Sequence, residues 1–412
     1  MNEPTISYQK GDGREARSEA EQGEDEHHIT PGSDEAASFL AEEEWQRTAR
    51  EFSHAKLTLY ALQTTIGLLF PFLFWYLRGS AVLAGSLASF LSQGWLLVLL
   101  FLLTYQAINA ILFLPFSWYG SFHLQHRFGM SRQRLAGWSV DWLKSTLLGT
   151  FFFLAGMESF YLVLAALQHD WWWILAAALS LIALLLTFVA PVLLLPIFYK
   201  SSPLEDRGLV QRIEALADRA GAHVSKVSTI DMSRRTVAAN AALTGIGRTR
   251  QVLLGDTMLQ QFTPDEVETV VAHELGHHVH GDIWKGLLME MAGIWAGLFL
   301  LQWVVRPVFI MAGLGDISVL ANLPLLVLLG EVASLAMMPV ANAISRRHEA
   351  RADAFAARLS RNPEAYSDAL YRLARQNLSE LWPPRWVELL LYTHPAIGRR
   401  MASVAKSASL SH

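Results

Sequence analysis

The sequence predicts a mainly α, polytopic membrane protein with about six transmembrane helices and a smaller α+β part outside the lipid. Three observations predict it. Apolar residues make up 52% of the 412, and they fall in long uncharged runs instead of the short alternating runs of a soluble core. Between the fourth and fifth runs the composition turns polar over residues 201–284, where amphipathic and β-like segments alternate. A second polar stretch, helical and rich in arginine, closes the chain over 345–412.

The totals exclude several classes. A net charge of −4 gives no sign of a nucleic-acid partner, and the basic residues sit at the ends of apolar runs. The chain has no cysteine. Disulfides, thiolate metal sites and cysteine nucleophiles are excluded, so any zinc must be held by His and carboxylate.

Residues 1–52 read as an N-terminal tail. The first thirty-odd are polar and mostly acidic, offer no signal peptide and read as disordered; Glu35 to Lys56 has helical composition and leads straight into the first span. Residues 53–200 then hold four spans, Leu57–Leu77, Trp95–Phe116, Ser145–Leu167 and Trp171–Tyr199. Each is near or above the roughly 20 residues that a bilayer requires. Pro191 and Pro196 should kink or break the fourth. Gly79–Leu91 is too short to cross and reads as a loop or interfacial helix.

Residues 201–284 carry an amphipathic helix, Leu209–Ala220, and short strands at Val224–Asp231, Thr236–Leu243 and Gln251–Gly255, with Gly245 and Gly247 as turn residues. Residues 285–344 hold a hairpin of two spans, about Trp284–Val305 and Ile317–Val340. Arg47, Arg50 and Lys56, then Arg127 to Lys144, Lys200 to Arg250 and Arg346 onward all fall on one side of this topology. The positive-inside rule makes that side cytoplasmic, with both termini on it. The membrane would be a bacterial inner membrane, the source that the preference for Arg over Lys suggests, or the ER membrane in a eukaryote. Glu158, Glu290 and Glu331 lie inside spans, which calls for a hydrated space or a partner between the helices.

One stretch carries chemistry: His273-Glu274-Leu275-Gly276-His277. On a helix, histidines four apart leave the same face one turn apart, as two nitrogen ligands of a tetrahedral Zn²⁺ require. Glu274 can face the open metal position and take a proton from water. Thr263-Pro264-Asp265-Glu266 reads as the start of that helix, with Thr263 as N-cap and Glu266 closing a capping box. A third ligand is needed. The extended pattern with a third histidine fails, because His280 and Ile283 stand at the required Gly and His positions. Glu349, just past the sixth span, is the better candidate, since the hairpin of spans five and six returns it to the motif. Asp353 shares its helical face and is placed to accept an N–H from a ligand histidine.

These residues, with several others, resemble the M48 zinc peptidases, and within them the integral-membrane CaaX prenyl protease 1 (Ste24-type) group. The resemblance covers roughly residues 55–405. His126-Arg127-Phe128-Gly129 followed by Asp141-Trp142-Leu143-Lys144 is similar to that group's loop, and Pro196-Ile197-Phe198-Tyr199-Lys200 to its element at the end of a span. Asn240-Ala241-Ala242 with Gly245 resembles its strand before the zinc helix, and Thr393-His394-Pro395 with Arg400 its C-terminal motif. The resemblance implies one Zn²⁺ per chain held by His273, His277 and Glu349, a zincin-like metalloprotease portion, and helices enclosing a chamber. It implies Glu274 as general base and acid, His394 as a helper beside the tetrahedral intermediate, and substrate binding by Asn240, Ala241, Ala242, Leu243 and Arg400. Two departures stand out. The eukaryotic members have seven spans, and Asp282 stands where they often have histidine.

The function expected is that of a membrane-embedded zinc endopeptidase. Its partners would be the bilayer and a polypeptide, either C-terminally prenylated or a misfolded membrane protein. Two other readings compete. A site-2-type intramembrane protease would need an Asp ligand from a later span, and span six offers only Glu331. A transporter or channel with a structural zinc would suit the intramembrane carboxylates but leaves Glu274 without a purpose.

Overall fold

The computed structural model describes residues 34–167, 169–245 and 247–409; the disorder expected of the first thirty-odd residues lies outside them. Among the described residues six helices are long and apolar enough to cross a membrane, Ala41–Tyr76, Gly94–Arg127, Leu135–Ala166, Trp171–Ala190, Asp282–Met311 and Leu320–Ser360. The number agrees with the sequence pattern; several ends do not. The first span is part of one helix, Asp34–Tyr76, as its composition suggested. The third begins at Leu135, ten residues before the expected Ser145, because the polar first turns find partners in the soluble part. Gly79–Phe90 is helical. Twelve residues reach only about 18 Å, short of the ~30 Å hydrocarbon core. The fourth span stops at Leu193, and a separate turn, Leu195–Phe198, follows; the proline break falls where expected.

The largest difference lies at span six. Leu323–Ser360 is one helix of 38 residues, continuous through Pro339 and past Ser345. Glu349 and Asp353 therefore ride on a rigid extension of a membrane helix, not on a separate segment.

The soluble part is built on a four-stranded sheet, β1 (Ser201–Pro203), β2 (Lys226–Ile230), β3 (Ala241–Thr244) and β4 (Gln251–Gly255), in the order β1-β2-β4-β3. β2 and β4 are parallel, and the outer strands pair antiparallel to them. β1 has no counterpart in the sequence reading, since three residues ending in proline show no alternation. The expected strand Thr236–Leu243 shrinks to Ala241–Thr244, with Thr236 forming only an isolated bridge to Ser131. β3 is left as an edge strand. Leu209, Ile213 and Leu216 of the helix Arg207–Arg219 pack with Val252, Leu254, Val271 and Leu275 into one core. A second core, around Phe101, Tyr105, Phe160 and Trp171, lies within the spans.

The motif helix is Pro264–Val279, and its start is the expected capping box. The Glu266 carboxylate accepts the Thr263 N–H at 2.7 Å, and the Thr263 hydroxyl accepts the Glu266 N–H at 3.3 Å. This helix packs on Leu323–Ser360 at Gly276, where an added Cβ would stand 3.1 Å from the Ala352 Cα. The missing side chain lets the two helices approach closely enough to face Glu349 toward the histidines. Gly276→Val is accordingly expected to destabilise by about 1–3 kcal/mol through overpacking. It should also weaken metal binding, read as a lower midpoint in urea and a loss of bound zinc.

Candidate metal centre

His273 is buried on the inner face of its helix, and His277 follows one turn later at its mouth. The His273 Nε2 and His277 Nε2 atoms face each other at 3.2 Å. Glu349 closes the group from the long helix, with Oε2 3.3 Å from His273 Nε2 and Oε1 3.2 Å from His277 Nε2. One ligand atom from each residue lies within 4.8 Å of the others.

The opposite nitrogen of each ring meets a carboxylate. His273 Nδ1 lies 2.9 Å from Asp353, and His277 Nδ1 lies 3.0 Å from Asp282. An Nδ1 facing an acceptor keeps its proton, so in the neutral rings both lone pairs sit on Nε2 and point into the space that Glu349 also faces. Two lone pairs and a carboxylate converging this closely repel unless a cation lies among them. The Glu349 Oε2 atom is buried and accepts no hydrogen bond. The carboxylates around the two rings impose the same demand for positive charge. Burial lowers His277, yet the carboxylates of Glu349 and Asp282 outweigh it and push the ring up to about 9. Asp353 and Glu349 likewise raise His273 against its burial. Two imidazoles and a carboxylate, three donors with room for a fourth, fit Zn²⁺.

The guanidinium of Arg400, a residue expected at the substrate, reaches the back of the site, and Arg400 also lines the cavity beside His394. It donates to both Asp353 oxygens, at 2.9 and 2.7 Å, and to the Tyr366 hydroxyl at 3.3 Å. Those carboxylates raise the already high guanidinium pKa, so it stays charged. Tyr366, almost wholly buried, donates to Asp353 at 2.6 Å, and its hydroxyl lies 3.0 Å from His273 Nδ1. No motif marks Tyr366 in the sequence; only its place in an amphipathic helix, Pro363–Gln376, could have turned it inward. Asp282 is the other residue that the sequence did not assign.

Glu274 follows His273 on the same helix and is partly buried. Burial raises its carboxyl above the ordinary range and the Glu349 charge adds to this, while His273, His277 and the Leu243 backbone N–H offset part of it. A base with an elevated pKa is suited to hold and release a proton near neutrality. His394 Nε2 lies 3.2 Å from Glu349 Oε1. Burial and the nearby Arg400 hold its imidazole below the ordinary value, against the Glu349 charge.

β3 runs beside this group. In its pairing with β4 the Gly255 N–H donates to the Asn240 carbonyl at 2.9 Å. That fixes the register, so the backbone groups of Ala241 and Leu243 turn to the free edge. A cavity of about 620 Å³ opens next to His394 and Arg400 and reaches Lys56 and Tyr60 on the first span. A second cavity, about 760 Å³, shares Lys56 and Tyr60 and extends to Trp138 and Asp141 on the third.

The remaining sequence motifs converge on Arg235, ahead of β3. Its guanidinium grips Asp141 at 2.9 and 3.1 Å, donates to the Phe198 carbonyl and lies over the Tyr199 ring. Lys144 reaches the Ile197 carbonyl at 3.2 Å, and Asp231 accepts the Lys200 N–H at 2.7 Å. The third span, the broken end of the fourth and the approach to β3 are thereby fixed together.

Comparison with known proteins agrees with this construction. The sequence profile of Peptidase family M48 matches residues 203–408, and that of the CAAX prenyl protease N-terminal region, described as five membrane helices, matches residues 26–200. Here that region holds four helices of spanning length and the short Gly79–Phe90. An uncharacterized metalloprotease of Bacillus subtilis is 30% identical over 310 residues, 74% of this chain and 72% of that one. CAAX prenyl protease 1 of Saccharomyces cerevisiae is 28% identical over 327 residues, 74% of this chain and 71% of its own. The crystal structure of Ste24p from S. mikatae superposes with a TM-score of 0.78 at 25% identity, covering 88% of this chain and 89% of that one.

Proposed function

The chain belongs to peptidase family M48, in its integral-membrane CAAX prenyl protease group, and from that premise we propose how it cuts and what it cuts. His273, His277 and Glu349 hold one Zn²⁺, Glu274 is the general base and acid, and the substrate is an extended polypeptide segment in the chamber between the spans. The observation that carries this reading is the convergence of two Nε2 lone pairs and the Glu349 carboxylate beside a partly buried glutamate. Zinc, when bound, supplies the Lewis acidity that makes water nucleophilic near neutral pH and polarises a carbonyl.

The chain's own residues do the rest. The backbone groups of Ala241 and the carbonyl of Leu243, at the free edge of β3, pair with the substrate backbone as an added strand, so a folded segment is not a substrate. Asn240 and Ala242 hold that edge in register through β4. Glu274 takes a proton from the attacking water and passes it to the leaving amine. His394, beside Glu349, donates to the oxygen that gains negative charge. Asp353, with Arg400 and Tyr366, holds the His273 ring, which makes Arg400 a positioning residue. The basic residues at the span ends, read by the positive-inside rule, support a cytoplasmic position for the site.

The test offers purified protein three substrates: a farnesylated C-terminal peptide, its unprenylated twin and an unfolded polypeptide. Backbone capture demands no lipid, so all three are expected to be cut. A chelator should abolish this, and added zinc should restore it. Cleavage confined to the farnesylated peptide would replace the backbone reading with a strict prenyl-protein requirement. Cleavage indifferent to the chelator would remove the metal reading.

A further inference from the structure

The two ligand histidines are supported by chains of the same composition built from different parts of the fold. Behind His273 stand Asp353 and Arg400. Behind His277 stands Asp282, and Arg351 donates to that carboxylate at 3.2 Å. The second chain is unlike the first in its origin. Asp282 is the first residue of the fifth span, and Arg351 lies on the extension of the sixth, two residues past Glu349.

Local geometry explains how Asp282 reaches the ring. The motif helix ends at Val279, and Gly281 takes the left-handed conformation, φ 66°. That turn starts the fifth span in a new direction and folds Asp282 back beside His277, five residues earlier. Any residue with a Cβ would be strained there. Asp282 is buried, and its two oxygens are divided. Oδ2 takes the His277 Nδ1 proton at 3.0 Å, while Oδ1 meets Arg351 at 3.2 Å, Lys285 at 3.2 Å and His348 at 3.7 Å. A carboxylate oxygen accepting at Nδ1 fixes the tautomer, aims Nε2 and makes it a stronger donor.

We infer that Asp282 and Arg351 form a positioning pair for His277, through which the heads of the fifth and sixth spans set the affinity of the site for its metal. The inference rests on the proposed His273–His277–Glu349 zinc site. Arg351 acts only through Asp282, since it touches neither ring. The spacing of the two membrane helices and the aim of one ligand are thus a single quantity.

The experiment measures zinc affinity of the full-length protein by competition with a chelating dye, for wild type, Asp282→Asn, Asp282→Ala, Arg351→Ala and the Asp282→Ala/Arg351→Ala double variant. Loss of such an outer partner weakens binding about 10–100-fold, and that loss is expected of Asp282→Ala. Asp282→Asn, which keeps the shape and a neutral acceptor, should lose less and should shift the visible bands of the Co²⁺-loaded protein. Arg351→Ala should weaken binding in wild type and change nothing once Asp282 is gone. Melting of the metal-free variants separates positioning from unfolding, and the isosteric Asp282→Asn keeps the test valid if the alanine variant fails to fold. Affinities within twofold of wild type for both Asp282 variants, or additive losses in the double variant, overturn the inference. A wild type that binds no zinc overturns the site itself instead.

Discussion

Glu274→Gln is expected to reduce kcat/KM by about three orders of magnitude while the purified protein retains one Zn²⁺ per chain. The substitution keeps the size and hydrogen-bonding shape of the side chain and removes its capacity to take a proton. General acid–base catalysis contributes about 10²–10⁴, and each tenfold loss corresponds to about 1.4 kcal/mol of barrier. Metal retention follows from the proposed ligand set, in which Glu274 has no part. In wild type the acid limb of the activity profile should reflect this carboxyl. Burial raises it above the ordinary glutamate value, so the base form is complete above that raised pKa and activity falls as the pH drops through it. The same variant separates the rival readings. A transporter with a structural zinc would keep its flux without this base, whereas the proposed peptidase would lose its turnover and keep its metal.

Much of the fold was legible because bilayer crossing and helix capping leave local signals. Six uninterrupted apolar runs mark six spans, and Thr263 to Glu266 announce the motif helix to the residue. Glu349 was legible by a different route, since the hairpin of spans five and six must return the chain to its starting side. What local signals cannot show is continuity and register. Nothing in the sequence says that the sixth span continues unbroken through Pro339 to Ser360, yet this carries Glu349 on one continuous helix to face the two histidines. β1 and the shortened β3 owe their extents to pairing across the sheet, which three or four residues do not encode by themselves. Asp282 and Tyr366 escaped because their roles arise from contacts that helix periodicity does not reveal. One depends on a left-handed turn at Gly281, the other on a helix that packs 93 residues away from the ring it supports.

Glu349→Ala is expected to have the opposite signature from Glu274→Gln, in that it removes the metal and the activity together. Loss of one of three donors should weaken zinc binding by more than the roughly 10–100-fold that an outer partner costs. The buried carboxylate is also the group that both Nε2 atoms face. Without it the His277 ring loses one of the two carboxylates that push it up to about 9, so its titration in the metal-free protein should move down. Stability gives a second reading. A ligand present at a hundred times its Kd stabilises the folded state by about 2.7 kcal/mol. Added zinc should therefore raise the melting temperature of wild type and of Glu274→Gln, and leave Glu349→Ala unmoved. Stoichiometric zinc at wild-type affinity in Glu349→Ala would show that the third donor comes from elsewhere. The rigid extension of the sixth span would then have to be explained as packing alone.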